Sequence, residues 1–249
     1  MSSSPPPGEN PPPYITGNPG NPEEVVQPVI LVLAGQFIRA QTSDGPPLYE
    51  LSRDVSRASI SEAHLAQVSL ERLIHNVRVN ANGTPRVKQH NRHIFELKHL
   101  PPVISTGFPY CLDAMSRSAV GNLALKTTSF PRSGFKVVKI KPEKEDGFPK
   151  GYRARKESLK EVEDIFDVRK RRGHYEWVRT GEQRIAIEDK TGDEHKLILI
   201  SAVTRRTMDA LIGSWCLRIW HDSIKSHHGP RLGFQSEVRS AREVLPRWW

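Results

Sequence analysis

One stretch of the chain, Val203 to Ser226 (VTRRTMDALIGSWCLRIWHDSIKS), is apolar around most of a helical circumference, which predicts a helix that must be enclosed. At about 100° per residue, Met208, Leu211, Ile212, Trp215, Cys216 and Ile219 form one broad stripe, while Ala210 and Leu217 fall on the opposite side. Only Gly213, Ser214 and Arg218 interrupt the apolar run from Ala210 to Trp220. That run spans about 16 Å at 1.5 Å per residue, short of the roughly 20 residues that cross a bilayer, so a protein core is its expected surrounding.

Ahead of this helix the pattern is one of short strands. Candidates are Val29 to Arg39, Leu48 to Arg53, Val87 to Lys98, Asn122 to Thr128, Gly134 to Lys141, Tyr175 to Arg179, Arg184 to Glu188 and Lys196 to Ser201. Their spacing suits a meandering antiparallel sheet. In RIAIEDKTGDEHKLILIS, turn-forming residues from Asp189 to Asp193 separate two apolar runs, a hairpin signature. Two segments read as helical. Ala66, Leu70, Leu73, Ile74 and Val77 fit a helical stripe that gives way to a β-branched end at Val79, predicting a short helix followed by a strand. In Lys156 to Asp167, Leu159, Val162, Ile165 and Phe166 share one side of a predicted short helix. Many short strands followed by one enclosed helix describe a closed barrel with a helical core. The predicted class is mostly β (α+β), with ordered patterns from Pro28 to about residue 228, the helix at about 204–226, and residues 229–249 as a C-terminal extension.

Composition changes near residue 25. Residues 1–27 are rich in Pro, Gly, Asn and Ser and poor in apolar residues, so they are expected to form a disordered tail with polyproline II stretches. Within it, Pro11, Pro12, Pro13 and Tyr14 spell the P-P-x-Y pattern that WW domains bind, because a preformed polyproline II segment loses little entropy on docking. A WW-domain protein is therefore a candidate partner. Two cysteines, Cys111 and Cys216, are too few for a disulfide framework, and Cys216 is expected to be a small core residue. No secretory signal or transmembrane run is evident, so the expectation is a cytoplasmic protein, with peripheral membrane or nuclear placement as alternatives.

The motifs that frame the body are LYELSRDV (Leu48 to Val55), HIFELKHL (His93 to Leu100), GNLALKTTSFPRSGFKVVKI (Gly121 to Ile140) and the hairpin with its helix (Arg184 to Trp220). Their order resembles the tubby C-terminal-like superfamily, which includes tubby domains, phospholipid scramblases and LURP-one-related proteins. The resemblance covers about residues 28–228 and implies a closed antiparallel barrel of about twelve strands around a hydrophobic C-terminal helix. Tubby domains bind phosphoinositide headgroups through basic surface residues, which implies an anionic membrane partner. The chain has neither an acidic calcium loop nor a cysteine cluster, so scramblase-like activity is not expected. No headgroup-binding motif aligns residue by residue, and no binding residue is carried over.

Charge supplies the remaining candidates. The chain has 37 Lys and Arg against 28 Asp and Glu, for a net charge of +9, and none of the basic residues lies in residues 1–27. This excess favours anionic lipid or nucleic acid as partner. Arg169, Lys170, Arg171 and Arg172 concentrate four cations ahead of Tyr175 and Trp177. The competing reading is a solvated loop neutralised by Glu161, Glu163, Asp164 and Asp167. In PRSGFKVVKIKP, Arg132, Lys136, Lys139 and Lys141 surround a turn and strand that could cradle an anion, against a plain barrel strand with Val138 and Ile140 inside. The terminal Trp248 and Trp249 are read as packing back across a barrel opening, with an interfacial anchor as the alternative. No glycine-rich phosphate loop, G-x-S-x-G elbow or H-E-x-x-H helix is present, so a non-enzymatic binding module is expected. The spacing of His90, His93, His99, His227 and His228 matches no zinc motif, and neither metal nor cofactor is predicted.

Overall fold

A computed structural model describes residues 21–57, 67–79, 85–100, 107–128, 133–142, 159–181, 183–191 and 194–227. Among the described residues fourteen strands precede one helix: β1 (Val25–Val26), β2 (Ile30–Ala34), β3 (Phe37–Ala40), β4 (Pro47–Leu51), β5 (Gln67–Val79), β6 (Pro85–His99), β7 (Tyr110–Ala114), β8 (Leu123–Thr128), β9 (Gly134–Pro142), β10 (Leu159–Arg171), β11 (His174–Arg179), β12 (Gln183–Thr191), β13 (Glu194–Leu199), β14 (Val203–Thr204) and α1 (Arg205–His227). Strands β2 to β13 form a twelve-stranded barrel in which each pairs antiparallel with its sequence neighbour. The barrel closes where β13 meets β2, with Leu197 opposite Leu31 and His195 opposite Leu33. Closure joins the first and last strands of the meander, so edges among the described residues are confined to strand stretches that outrun their neighbours.

The helix occupies the interior. Every residue from Thr207 to His221 is buried, which fits a helix apolar on all sides and surrounded by strands. Trp215 and Trp220 pack in one cluster with Leu70, Phe95, Leu112, Phe166, Trp177 and Leu197. Gly213 allows the helix to approach the wall, since a Cβ there would stand 3.2 Å from both Leu112 Cδ1 and Phe95 Cδ2. At the helix start, Thr204 Oγ1 accepts from the Thr207 amide at 3.3 Å, the capping geometry expected of Thr before a helix. The orphan amides of Arg205 and Arg206 donate to the carbonyls of Glu24 and Pro22 at 2.7 and 3.0 Å. Two arginines in the first turn oppose the helix dipole, and Glu24 and Glu23 offset them through ion pairs of 3.3 and 3.4 Å. The segment around β1, which composition groups with the tail, is thus part of the helix cap, with Val25 and Val26 paired to Thr204 and Val203.

Both segments read as helical are strands over the described residues. Lys156 to Asp167 falls largely in β10, where the register against β9 skips at Val162 and again at Ile165. Each bulge inserts one residue and shifts the phase of the alternation, so Leu159, Val162 and Ile165 recur every third position and imitate a helical face. Val162 is accordingly 49% exposed. Strand β5 runs from Gln67 to Val79, so Leu70, Leu73, Ile74 and Val77 of the helical stripe stand on a strand; residues 60–66, where the short helix of that reading would begin, lie outside the described residues. The candidate Val29 to Arg39 is two strands, β2 and β3, turned at Gly35 with φ of 61°. Val138 and Ile140 are buried on the opposite face from the one expected. Phe135 and Val137 take the interior positions of β9, while Val138 and Ile140 join Cys111, Ala124 and Phe108 in a second apolar cluster. Residues 1–20 and 228–249, with the PPPY motif, Trp248 and Trp249, lie outside the described residues.

Candidate functional site

The basic run falls on the β10–β11 hairpin, at the barrel end where α1 finishes. Strand β10 puts Val168 inside the barrel and Arg169 and Arg171 outside, while the turn at Arg172 and Gly173 has positive φ at both residues (45° and 91°). Gly134 makes the adjoining edge possible, because a Cβ there would lie 2.2 Å from the Val168 carbonyl oxygen.

The four cations are not equivalent. Arg169 Nε pairs with Asp167 Oδ2 of its own strand at 2.7 Å. Arg171 Nε reaches Glu176 Oε2 at 3.1 Å, and the same carboxylate holds Arg184 at 3.1 Å through Oε1. Lys170 is exposed, with Nζ 6.0 Å from the centre of the Tyr175 ring. Arg172 is exposed at the hairpin tip and has no ion pair among the described residues. Along the outer wall, Lys136 pairs with Asp164 at 2.6 Å and Lys126 with Glu161 at 3.1 Å. The hydrogen bond from Lys136 to Asp164 raises the lysine above its ordinary pKa. Lys139 lies on the inner face of β9, opposite Leu123, with its Cε close to Gly121. Arg132 lies outside the described residues and Lys141 is exposed at the far end of β9. Lys136 and Arg169 line one outer pocket with Asp164 and Asp167, while Lys139 turns to the inner face of β9.

Beneath the hairpin lies a buried polar cluster that charge patterning along the chain does not reveal. Arg218 of α1, 3% exposed, pairs with Glu188 of β12 and, at 2.6 Å, with Asp222. Its guanidinium stacks 4.5 Å from the centre of the Tyr175 ring. His221 Nδ1 lies 3.0 Å from Asp222 Oδ1, and its ring meets Tyr110 and Phe135 edge-on, each at 5.0 Å between centroids. Burial would raise the Asp222 carboxyl, but the His221 hydrogen bond and the Arg218 charge hold it below the usual carboxylate range. Burial pushes the Tyr110 hydroxyl up to about 12, with the Asp222 charge assisting. The single signal in sequence for this cluster was Arg218 interrupting an apolar helix.

Neither thiol is poised as a nucleophile. Burial pushes Cys111 up to about 12 and raises Cys216 further. Among the described residues no three His, Cys, Asp or Glu side chains gather as a metal set. His90 is exposed on β6, His93 Nε2 lies 3.1 Å from the Phe95 carbonyl, and His99 stacks on Tyr110 at 4.5 Å. No helix among the described residues is long and apolar enough to cross a membrane.

Comparison with protein-family models, with curated proteins and with solved structures gives no match.

Proposed function

We propose that this chain is a non-enzymatic binding module of the tubby C-terminal-like type, docking on anionic, phosphoinositide-type membrane surfaces through the barrel end that carries the β10–β11 hairpin. The observation that carries the reading is the tip itself, where Lys170 and Arg172 stand exposed beside Arg171 with no acid of their own along the turn. Lys190 on β12 and Lys225 near the end of α1 are exposed at the same barrel end. The packed interior favours surface work, since the helix takes the space in which a hollow barrel would hold a ligand. Each cation near an anionic leaflet contributes about 1 kcal/mol, and the shared Glu176 reduces the part due to Arg171.

The test is vesicle co-sedimentation of the full chain and of a Lys170→Gln, Arg171→Gln, Arg172→Gln variant, with phosphatidylcholine vesicles containing phosphatidylserine or a phosphoinositide. Wild type should bind the anionic vesicles, and the variant should lose affinity on the order of 100-fold at low salt. Equal binding by both proteins, or no binding by wild type, would remove the proposal.

A further inference from the structure

We propose that the outer half of the β5–β6 hairpin is a docking arm for B-form duplex DNA. This goes beyond the membrane reading and uses a different end of the barrel. Strand β5 pairs with β4 only from Leu70 to Arg72, and β6 pairs with β7 only from Phe95 to His99. Among the described residues, from Leu73 to Val79 and from Pro85 to Asn91, each strand has only the other as its sheet neighbour. At about 3.3 Å per residue, seven paired positions give a two-stranded ribbon about 23 Å long.

The ribbon is sorted by charge. No Asp or Glu occurs from Arg72 to Phe95, a stretch that includes Arg78, Arg86, Lys88 and Arg92. The register places Ile74 opposite His90, Asn76 opposite Lys88 and Arg78 opposite Arg86 at alternate positions of the ladder, and Arg86, Lys88 and His90 share one face of β6. The alternate positions are neutral: Leu73 opposite Asn91, His75 opposite Gln89, Val77 opposite Val87 and Val79 opposite Pro85. On that neutral face, Gln89 donates to Asn91, which donates to Glu71, each at 3.0 Å, so the Glu71 carboxylate is engaged behind the basic face. Arg86, Lys88 and His90 are exposed, and Arg86 and Lys88 have no ion pair among the described residues.

Basic residues on unpaired strands discourage edge-to-edge association, which accounts for their presence but not for their collection on one face. The shape favours DNA among anionic partners. A B-form major groove, about 12 Å wide, admits a two-stranded ribbon, and duplex phosphates lie about 1.7 Å apart along the axis. From Arg72 to His93 the chain has no Phe, Tyr or Trp, the side chains that anchor proteins at a lipid interface. The arm also leaves the barrel at the end where α1 begins, beside the Arg72–Asp209 pair, opposite the β10–β11 tip.

Titrating a short random-sequence DNA duplex with the full chain and with an Arg78→Gln, Arg86→Gln, Lys88→Gln variant tests the assignment. Three phosphate contacts contribute about 2.7 to the slope of log affinity against log salt, so between roughly 50 and 200 mM salt wild type should lose about 40-fold more affinity than the variant. An Arg78→Lys, Arg86→Lys variant should keep most of the wild-type slope, and matching thermal unfolding would show that the fold persists. Equal slopes for wild type and the Gln variant would overturn the proposal. So would equal affinity for duplex RNA, whose deep, narrow major groove does not admit a ribbon. Arm-dependent binding confined to phosphatidylserine vesicles would assign the face to lipid instead. Because Lys170, Arg171 and Arg172 remain intact, these outcomes are separate from those of the hairpin-tip test.

Discussion

Arg72 of β5 donates from Nη1 to Asp209 Oδ2 of α1 at 2.8 Å, with side-chain exposures of 5% and 1%. Tyr49 of β4 donates to the other carboxylate oxygen at 2.8 Å. A strand and a helix 137 residues apart in sequence are thus joined by a charge pair inside the barrel. Removing one partner leaves the other buried and uncompensated, which costs about 3–5 kcal/mol, whereas replacing both with apolar residues of similar size is often nearly neutral. Asp209→Asn should therefore destabilise by that amount in urea unfolding, and an Arg72→Met, Asp209→Leu pair should recover most of the loss. Unfolding of Asp209→Asn within 1 kcal/mol of wild type would show that the pair contributes little.

The helix as core makes a second prediction. Leu211 and Ile219 are 0% and 1% exposed, and truncating either to Ala should cost about 2–5 kcal/mol through lost burial and the cavity left behind. Gly213→Val tests the opposite fault, since its new methyl groups would press on Leu112 and Phe95 and should cost about 1–3 kcal/mol by overpacking. Calorimetric unfolding of all three variants checks this. Unchanged midpoints for both truncations would place the helix outside the cooperative core.

The enclosed helix was legible because nothing in the pattern of Met208 to Trp220 offered a wet face. Most wall strands were legible for the complementary reason, as in β8, where Leu123 and Leu125 point inward on either side of Ala124. Strand β10 was hidden by its bulges, whose extra residues at Val162 and Ile165 replace a period of two with one near three. Strand β5 was hidden by Arg72, a charge on the inner face that becomes intelligible only with Asp209 beside it. The hairpin tip was legible as a cluster of cations, and Asp167, the partner of Arg169, was among the acids expected to neutralise it, but Glu176 was not, because the β10–β11 register brings it beside Arg171. The basic face of β5–β6 was invisible for the same reason. Lys88 falls in a predicted strand and Arg86 just before it, but their place on an arm beyond the flanking strands follows only from how β5 and β6 pair.

His195 provides a pH-dependent prediction. It sits on the inner side of β13 opposite Leu33, and its Nδ1 has no hydrogen-bond partner among the described residues. Burial, followed by the nearby Lys190 charge, lowers its pKa below the ordinary 6.5, against weaker opposition from Asp222 and Asp54. A histidine with a depressed folded pKa contributes stability that is present above the unfolded value and lost as pH falls toward the folded one. Asp222 is also depressed, but its unfolded value lies near 3.9, so its contribution changes only in more acid solution. Between pH 7 and 5 the His195 contribution should lower unfolding free energy by no more than about 1.4 kcal/mol per pH unit, the limit for uptake of one proton. His195→Gln should flatten the profile over that interval. Urea midpoints at pH 7, 6 and 5 for both proteins measure the difference. Parallel losses in wild type and variant would assign the acid sensitivity to another group.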